Sequence, residues 1–103
     1  MSFITITGCD HYLGANALRV NQTLVLKKDF DNLHDGEAIA VHLESGMKIG
    51  YVANSVRTVA RGTYSAGRVY DTFDMKCYAK VKFILRDCAI AETISSEELE
   101  EAI

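Results

Sequence analysis

The chain has no proline among its 103 residues, so its turns must be made by Gly, Asn and Asp. No run approaches the roughly 18 apolar residues of a membrane-spanning helix. The first residues, Met1-Ser2-Phe3-Ile4-Thr5-Ile6-Thr7, lack the basic start and long apolar stretch of a secretory signal. A cytoplasmic protein without membrane attachment is the expectation. Cysteine is sparse: Cys9, Cys77 and Cys88 form an odd set with no CxxC spacing. That excludes a disulfide framework or zinc ribbon and predicts small core residues in a reducing compartment. Also missing are the GxxxxGK[ST] phosphate loop, a GxGxxG turn, the GxSxG elbow and HExxH. ATP hydrolysis, dinucleotide chemistry, serine hydrolysis and zincin proteolysis thus lack their usual parts. Cys9, His11 and His34 do not have structural-zinc spacing and lack a fourth ligand. No metal, cofactor or catalytic residue is expected.

The residues that are present make an ordinary globular mix, 49% hydrophobic and 24% charged, in a length that suits one domain with one core. The net charge is −3, but Glu97, Glu98, Glu100 and Glu101 crowd the last seven residues and leave the body close to neutral. A local basic patch is compatible with that balance.

Alternation dominates the chain. Ile4 and Ile6 oppose Thr5 and Thr7, a half-buried strand. Thr23 to Lys28 reads as a second strand. Asp29 to Gly36 is a loop rich in turn formers. Glu37 to Leu43, the turn Glu44-Ser45-Gly46 and Met47 to Val52 make the clearest hairpin. Asn54 to Arg61 has helical spacing, with Val56, Val59 and Ala60 on one face and Gly62 as the stop. Gly62 to Gly67 reads as loop and Arg68 to Phe73 as extended chain. Lys76 to Leu85 is the longest strand: Cys77, Ala79, Val81, Phe83 and Leu85 share one face, and Lys76, Tyr78, Lys80 and Lys82 the other. Ala89 to Ile94 continues the sheet. Ser95 opens a short acidic helix, with Glu98 at its capping-box position. The sum is a mainly β domain: a small closed or partly open barrel with one or two short helices.

The Lys76, Tyr78, Lys80, Lys82 face combines cations with an aromatic, as a strand tracking a phosphate backbone requires; a lysine row also simply solvates a sheet face. Arg57, Arg61 and Arg68 flank the glycine-bounded loop and suit phosphates or plain solvent equally.

Three blocks carry a family resemblance. Gly8-Cys9-Asp10-His11-Tyr12-Leu13-Gly14 comes first. Sixteen residues later stands Asp31-Asn32-Leu33-His34-Asp35-Gly36-Glu37-Ala38-Ile39-Ala40-Val41, then Gly46-Met47-Lys48-Ile49-Gly50-Tyr51-Val52. Their order resembles the HIRAN domain, the N-terminal module of DNA-repair helicases that also occurs alone in bacteria. The resemblance implies an OB-like barrel over residues 1–94, with 95–103 an acidic C-terminal helix or tail. It implies a binding module rather than an enzyme, since the helicases keep their ATPase in other regions. Its expected ligand is single-stranded DNA or a free 3′ DNA end; a larger repair protein and a second copy of the chain are further candidate partners. His11 and Tyr12 stand at the first block's aromatic positions. Asn32, His34 and Asp35 match the residues around the terminal nucleotide, Asp35 as acceptor for a 3′-hydroxyl, and Tyr51 matches an aromatic contact after Gly50. Each has a plainer reading beside it: Asp31 and Asp35 as loop-fixing Asx turns, Tyr12 and Tyr51 as packing at the barrel mouth, His34 with Asp35 as an acid–base pair lacking a nucleophile. Two positions depart from the pattern. Asp10 stands where end-binding members carry a cation, and Leu33 replaces a proline. They motivate an alternative, a protein-interaction or oligomerisation module of the same fold that has lost DNA binding.

Overall fold

The computed structural model describes residues 2–9, 18–86 and 89–95. Six strands, β1 (Phe3–Thr7), β2 (Thr23–Lys28), β3 (Ile39–Leu43), β4 (Lys48–Val52), β5 (Lys76–Ile84) and β6 (Ala89–Ile94), close into an antiparallel barrel in the order β1-β4-β3-β2-β5-β6. Closure leaves no unpaired edge. The expected small β-barrel is therefore the fold, in its closed form.

Alternation fills the interior as the sequence indicates. Ile4, Ile6, Leu24, Leu26, Ile39, Val41, Ile49, Ala79, Val81, Ala89 and Ala91 are buried and belong to one core. The β3–β4 turn has Gly46 at φ +97°, and Leu43 N–H donates to the Met47 carbonyl at 2.8 Å. A bulge between Val41 and His42 accommodates the pairing.

The seam between β1 and β4 is short. It pairs Ile6 with Val52 and Thr7 with Tyr51. A Cβ on Gly50 would sit 2.5 Å from the Thr7 carbonyl oxygen, so only glycine lets the two backbones approach this closely. Beyond the seam, Ala53 N–H donates to the Thr5 carbonyl at 2.8 Å, and Ala66 N–H donates to the Ala53 carbonyl at 2.9 Å.

Three local expectations need correction. Asn54 to Arg61 is a turn-rich loop, not a helix: Ser55's carbonyl accepts from both Thr58 and Val59, and the turn goes no further. Val56, Thr58 and Val59 are β-branched and weak helix formers, and Val56 is 98% exposed, so no apolar face rewards a helix. The loop is instead anchored by Thr5, which the alternation places outside the core but which is 1% exposed. Thr5 Oγ1 accepts from Ala60 N–H at 3.0 Å and bonds Thr63 Oγ1 at 2.8 Å.

The second correction is the helix itself, which lies at Ala66–Val69 (α1), followed by a single 3-10 turn over Tyr70–Thr72. Loop and extended chain are the sequence expectation there. Ala66 and Val69, three apart, are both buried, and Ser65's carbonyl accepts from Arg68 and Val69. The third concerns β5. A register shift between Val81 and Phe83 ends the alternation, leaving Phe83 at 57% and Leu85 at 41% exposure instead of on the core face. A bulge bends the strand and re-aims the residues after it.

Substituting Gly50→Ala should cost about 1–3 kcal/mol by overpacking against backbone. Urea unfolding checks it; an unchanged midpoint would mean that the seam does not require glycine.

Candidate nucleic-acid interface

The β2–β3 connection, residues 29–38, is built from side chains bonding to their own backbone. Asp29 Oδ1 accepts from Asp31 N–H at 3.2 Å. Asn32 Oδ1 accepts from His34 N–H and Asp35 N–H, both at 2.9 Å. Asp35 Oδ1 accepts from Glu37 N–H at 2.9 Å. These Asx-type bonds hold the loop without proline, so Leu33 in the proline position does not leave it unsupported. Asp31, by this geometry, is a loop residue whose own N–H is the bonded group.

Asn54 ties this loop to the chain leaving β4. Asn54 Nδ2 donates to Asp35 Oδ2 at 3.0 Å, while Asn54 Oδ1 accepts from Gly67 N–H at 2.7 Å. Asn54 thus fixes the distance between the Asp35 loop and α1. A Cβ on Gly67 would meet Glu37 Oε1 at 2.7 Å, so the helix docks there through its glycine.

The result is a groove of about 410 Å³ lined by Asn32, His34, Asp35, Tyr51, Asn54 and Thr58, among others. Four sequence-predicted residues, Asn32, His34, Asp35 and Tyr51, come together in it. Leu33 beside them is 95% exposed. Tyr51 is held from behind: its hydroxyl donates to Asp29 Oδ2 at 2.8 Å and accepts from Lys48 Nζ. Lys48's ammonium also lies 4.4 Å from the ring centroid. The Lys48 hydrogen bond pulls the phenol pKa down, but burial and Asp29 outweigh it and raise it above its ordinary value. Tyr51 therefore stays a donor to Asp29 and offers its ring to the groove. Asp35 uses one bond on each oxygen, which leaves acceptor capacity.

The lysine face lies elsewhere on the barrel. Lys76 and Tyr78 line a smaller hollow of about 270 Å³ with Lys27, His42 and Glu44. Lys27 and Lys76 are direct cross-strand partners, a like-charge pair that is unfavourable unless something anionic lies near. Lys80 faces Glu92 in register, and Lys82 Nζ lies 3.9 Å from Glu92 Oε1. The predicted row is thus not a uniform cationic face: Glu92 offsets its far half. His11 and Tyr12, with Asp10, lie outside the described residues, as do Cys88 and the acidic tail. Cys9 is buried, and burial pushes the Cys77 thiol up to about 12, which suits packing rather than chemistry. No cluster of metal-ligating side chains occurs among the described residues.

The HIRAN domain profile matches residues 1–97. The chain belongs to the HIRAN domain family. HIRAN domains are binding modules generally associated with DNA binding in repair. No curated protein matches the chain. A crystal structure of a protein from Lactobacillus plantarum is similar in fold, with a TM-score of 0.58 at 18% identity, covering 92% of this chain and 94% of that one. No helix among the described residues is long and apolar enough to cross a membrane.

Sequence reasoning missed Asn54, Ser55 and Thr58, which complete this HIRAN groove. Asn54 reads as the start of a helix because the apolar spacing after it mimics one. The signal for its real role is position: it follows the Gly50-Tyr51 motif by three residues, so it leaves the seam facing the loop that the motif supports.

Asn54→Ala should leave Gly67 N–H and Asp35 each short of a partner and cost about 1–3 kcal/mol. Hydrogen exchange should show faster amide exchange at Gly67; unchanged protection would contradict the bridging role. His42 supplies a pH dependence. Burial lowers its pKa from 6.5, Lys27 and Lys48 lower it further, and Asp29 opposes them. Its Nδ1 is buried with no partner among the described residues. As pH falls through 6.5 the unfolded chain binds the proton before the folded one does. Stability must therefore fall in the window running down from about pH 6.5. Thermal unfolding across that window should show the loss, and His42→Phe should reduce it.

Proposed function

We propose that this HIRAN domain binds single-stranded DNA with a free 3′ end, seating the terminal nucleotide in the groove between the Asp35 loop and the β4 exit, in DNA repair or processing. One observation carries the reading: Asn32, His34, Asp35 and Tyr51, separated by up to nineteen positions in sequence, line a single groove. Asp35, braced by Asn54, is an acceptor for a 3′-hydroxyl, and Asn32's amide nitrogen has no partner among the described residues and is a donor for sugar or phosphate. His34 and Tyr51 supply rings for base stacking, worth about 1–3 kcal/mol per base. By their positions in the family pattern, His11 and Tyr12 are further candidates for contact with the strand. Lys76 and Tyr78 add a cation and a ring elsewhere on the barrel, and Lys80 and Lys82 contribute less because the single charge of Glu92 offsets part of theirs. No catalytic role is assigned: His34 is exposed, and no hydroxyl or thiol bonds its ring among the described residues.

The reading predicts tighter binding of an oligonucleotide ending in a 3′-hydroxyl than of the same sequence ending in a 3′-phosphate, because Asp35 repels the added charge. Asp35→Asn should erase the preference. Fluorescence anisotropy at low salt reads both. No binding of either oligonucleotide at about 10⁻⁴ M protein, the weak limit of non-specific association, would end the proposal. The exposed run Phe83, Ile84 and Leu85, at 57%, 40% and 41%, favours a second reading, an interaction or homodimer surface. Light scattering that reports a dimer broken by Phe83→Ser would support it.

A further inference from the structure

A second groove adjoins the first. It encloses about 420 Å³ and shares Asn54 and Ser55 with the Asp35 groove as a common wall. Its apolar lining is Val56, Val59 and Ala60, and its charges are Arg61 and Arg68. No acidic residue lines it. The contrast with the two other polar hollows is what gives it meaning. The first groove contains Asp35 and no lysine or arginine. The lysine hollow contains Glu44. Lys48 and Lys82 lie within ion-pair distance of Asp29 and Glu92, whereas Arg61 and Arg68 have no carboxylate partner among the described residues. A strand whose end sits beside Asp35 has phosphates that must be neutralised somewhere, and the arginines stand next to it with no carboxylate in ion-pair range among the described residues.

The groove is also built rather than floppy. Thr5 holds the loop at Ala60 and Thr63. Tyr64 N–H donates to the Phe3 carbonyl at 2.8 Å, and Gly62 makes the turn at φ +88°. The Arg68 guanidinium lies 5.0 Å from the Tyr64 ring centroid, an arrangement that limits its freedom while leaving its donors available. Arg57 does not line the groove.

We propose that the Arg61–Arg68 groove is a phosphate-binding subsite, holding the backbone of a single strand on the 5′ side of the terminus seated at Asp35. The proposal rests on the end-binding reading for its ligand, and it fixes a direction: the strand leaves the Asp35 groove across Asn54 towards α1, not across the barrel towards Lys80 and Lys82. A nucleotide also suits the lining, with sugar or base against Val59 and Ala60 and phosphates at the arginines.

The test compares the wild-type chain with Arg61→Gln/Arg68→Gln, Lys80→Gln/Lys82→Gln and Asp35→Asn, using oligonucleotides with 3′-hydroxyl and 3′-phosphate ends over a salt series. The arginine pair is exposed, so unchanged melting temperatures are the folding control. Two lost phosphate contacts should lower the slope of log affinity against log salt by about 1.4, weakening both oligonucleotides by the same factor. The lysine pair should change the slope less, and Asp35→Asn should alter end preference without altering the slope. An unchanged slope in the arginine variant overturns the subsite and leaves the end-binding reading standing. A second measurement needs no oligonucleotide: inorganic pyrophosphate, titrated while the amide resonances of Arg61, Gly62 and Thr63 are followed. Shifts in the wild type that vanish in the arginine variant support an anion groove even where oligonucleotides fail to bind, in which case the end-binding reading falls alone. No shift at those amides overturns the groove.

Discussion

The site hangs on one close approach, Gly50 against the Thr7 carbonyl. A side chain would stand 2.5 Å from that oxygen, so the β1–β4 seam closes only with glycine there. Closure makes the sheet a barrel and sends the chain out of β4 in a fixed direction. Tyr51 and Val52 pair in the seam, Ala53 bonds both Thr5 and Ala66, and Asn54 emerges between the Asp35 loop and α1. A motif glycine that is silent chemically thus sets the placement of residues that are not.

From Asn54 outward the surface divides by charge. One side carries Asp35 with neutral donors and rings; the other is lined by arginines and by no acid. A single amide holds both lips, with its nitrogen on Asp35 and its oxygen on Gly67. An acceptor for a hydroxyl and donors for phosphates are opposite requirements, and adjoining grooves keep them apart across a wall made by Asn54 and Ser55. The same arrangement bears on Asp10, the acid at the family's cationic position: the cations that line the adjoining groove stand on the loop after β4 and on α1.

Much of this was legible in the residues. Alternation together with turn residues between the segments brought the six strands into view, because a barrel with one buried face favours period two. It failed where a bulge after Val81 inserts a residue that the pattern cannot announce. Helical spacing at Val56 and Val59 misled, because spacing records no burial, and Val56 faces solvent. The helix at Ala66–Val69 is too short for a periodic signal; its cause is docking of Gly67 against Glu37 and Asn54, a contact between distant segments. For the site, the three blocks brought Asn32, His34, Asp35 and Tyr51 into view. Asn54 stayed hidden because its importance is geometric: it depends on a seam and a loop meeting, which no local pattern records.

The central claim is that the Asp35–Asn54 groove receives a nucleic-acid terminus. Amide chemical shifts of the full chain, recorded as a short oligothymidine with a free 3′-hydroxyl is added, test it most directly. The account predicts perturbations concentrated at Asn32, His34, Asp35, Asn54 and Thr58. Perturbations confined to the Phe83–Leu85 end of the barrel, or none at all, would contradict it.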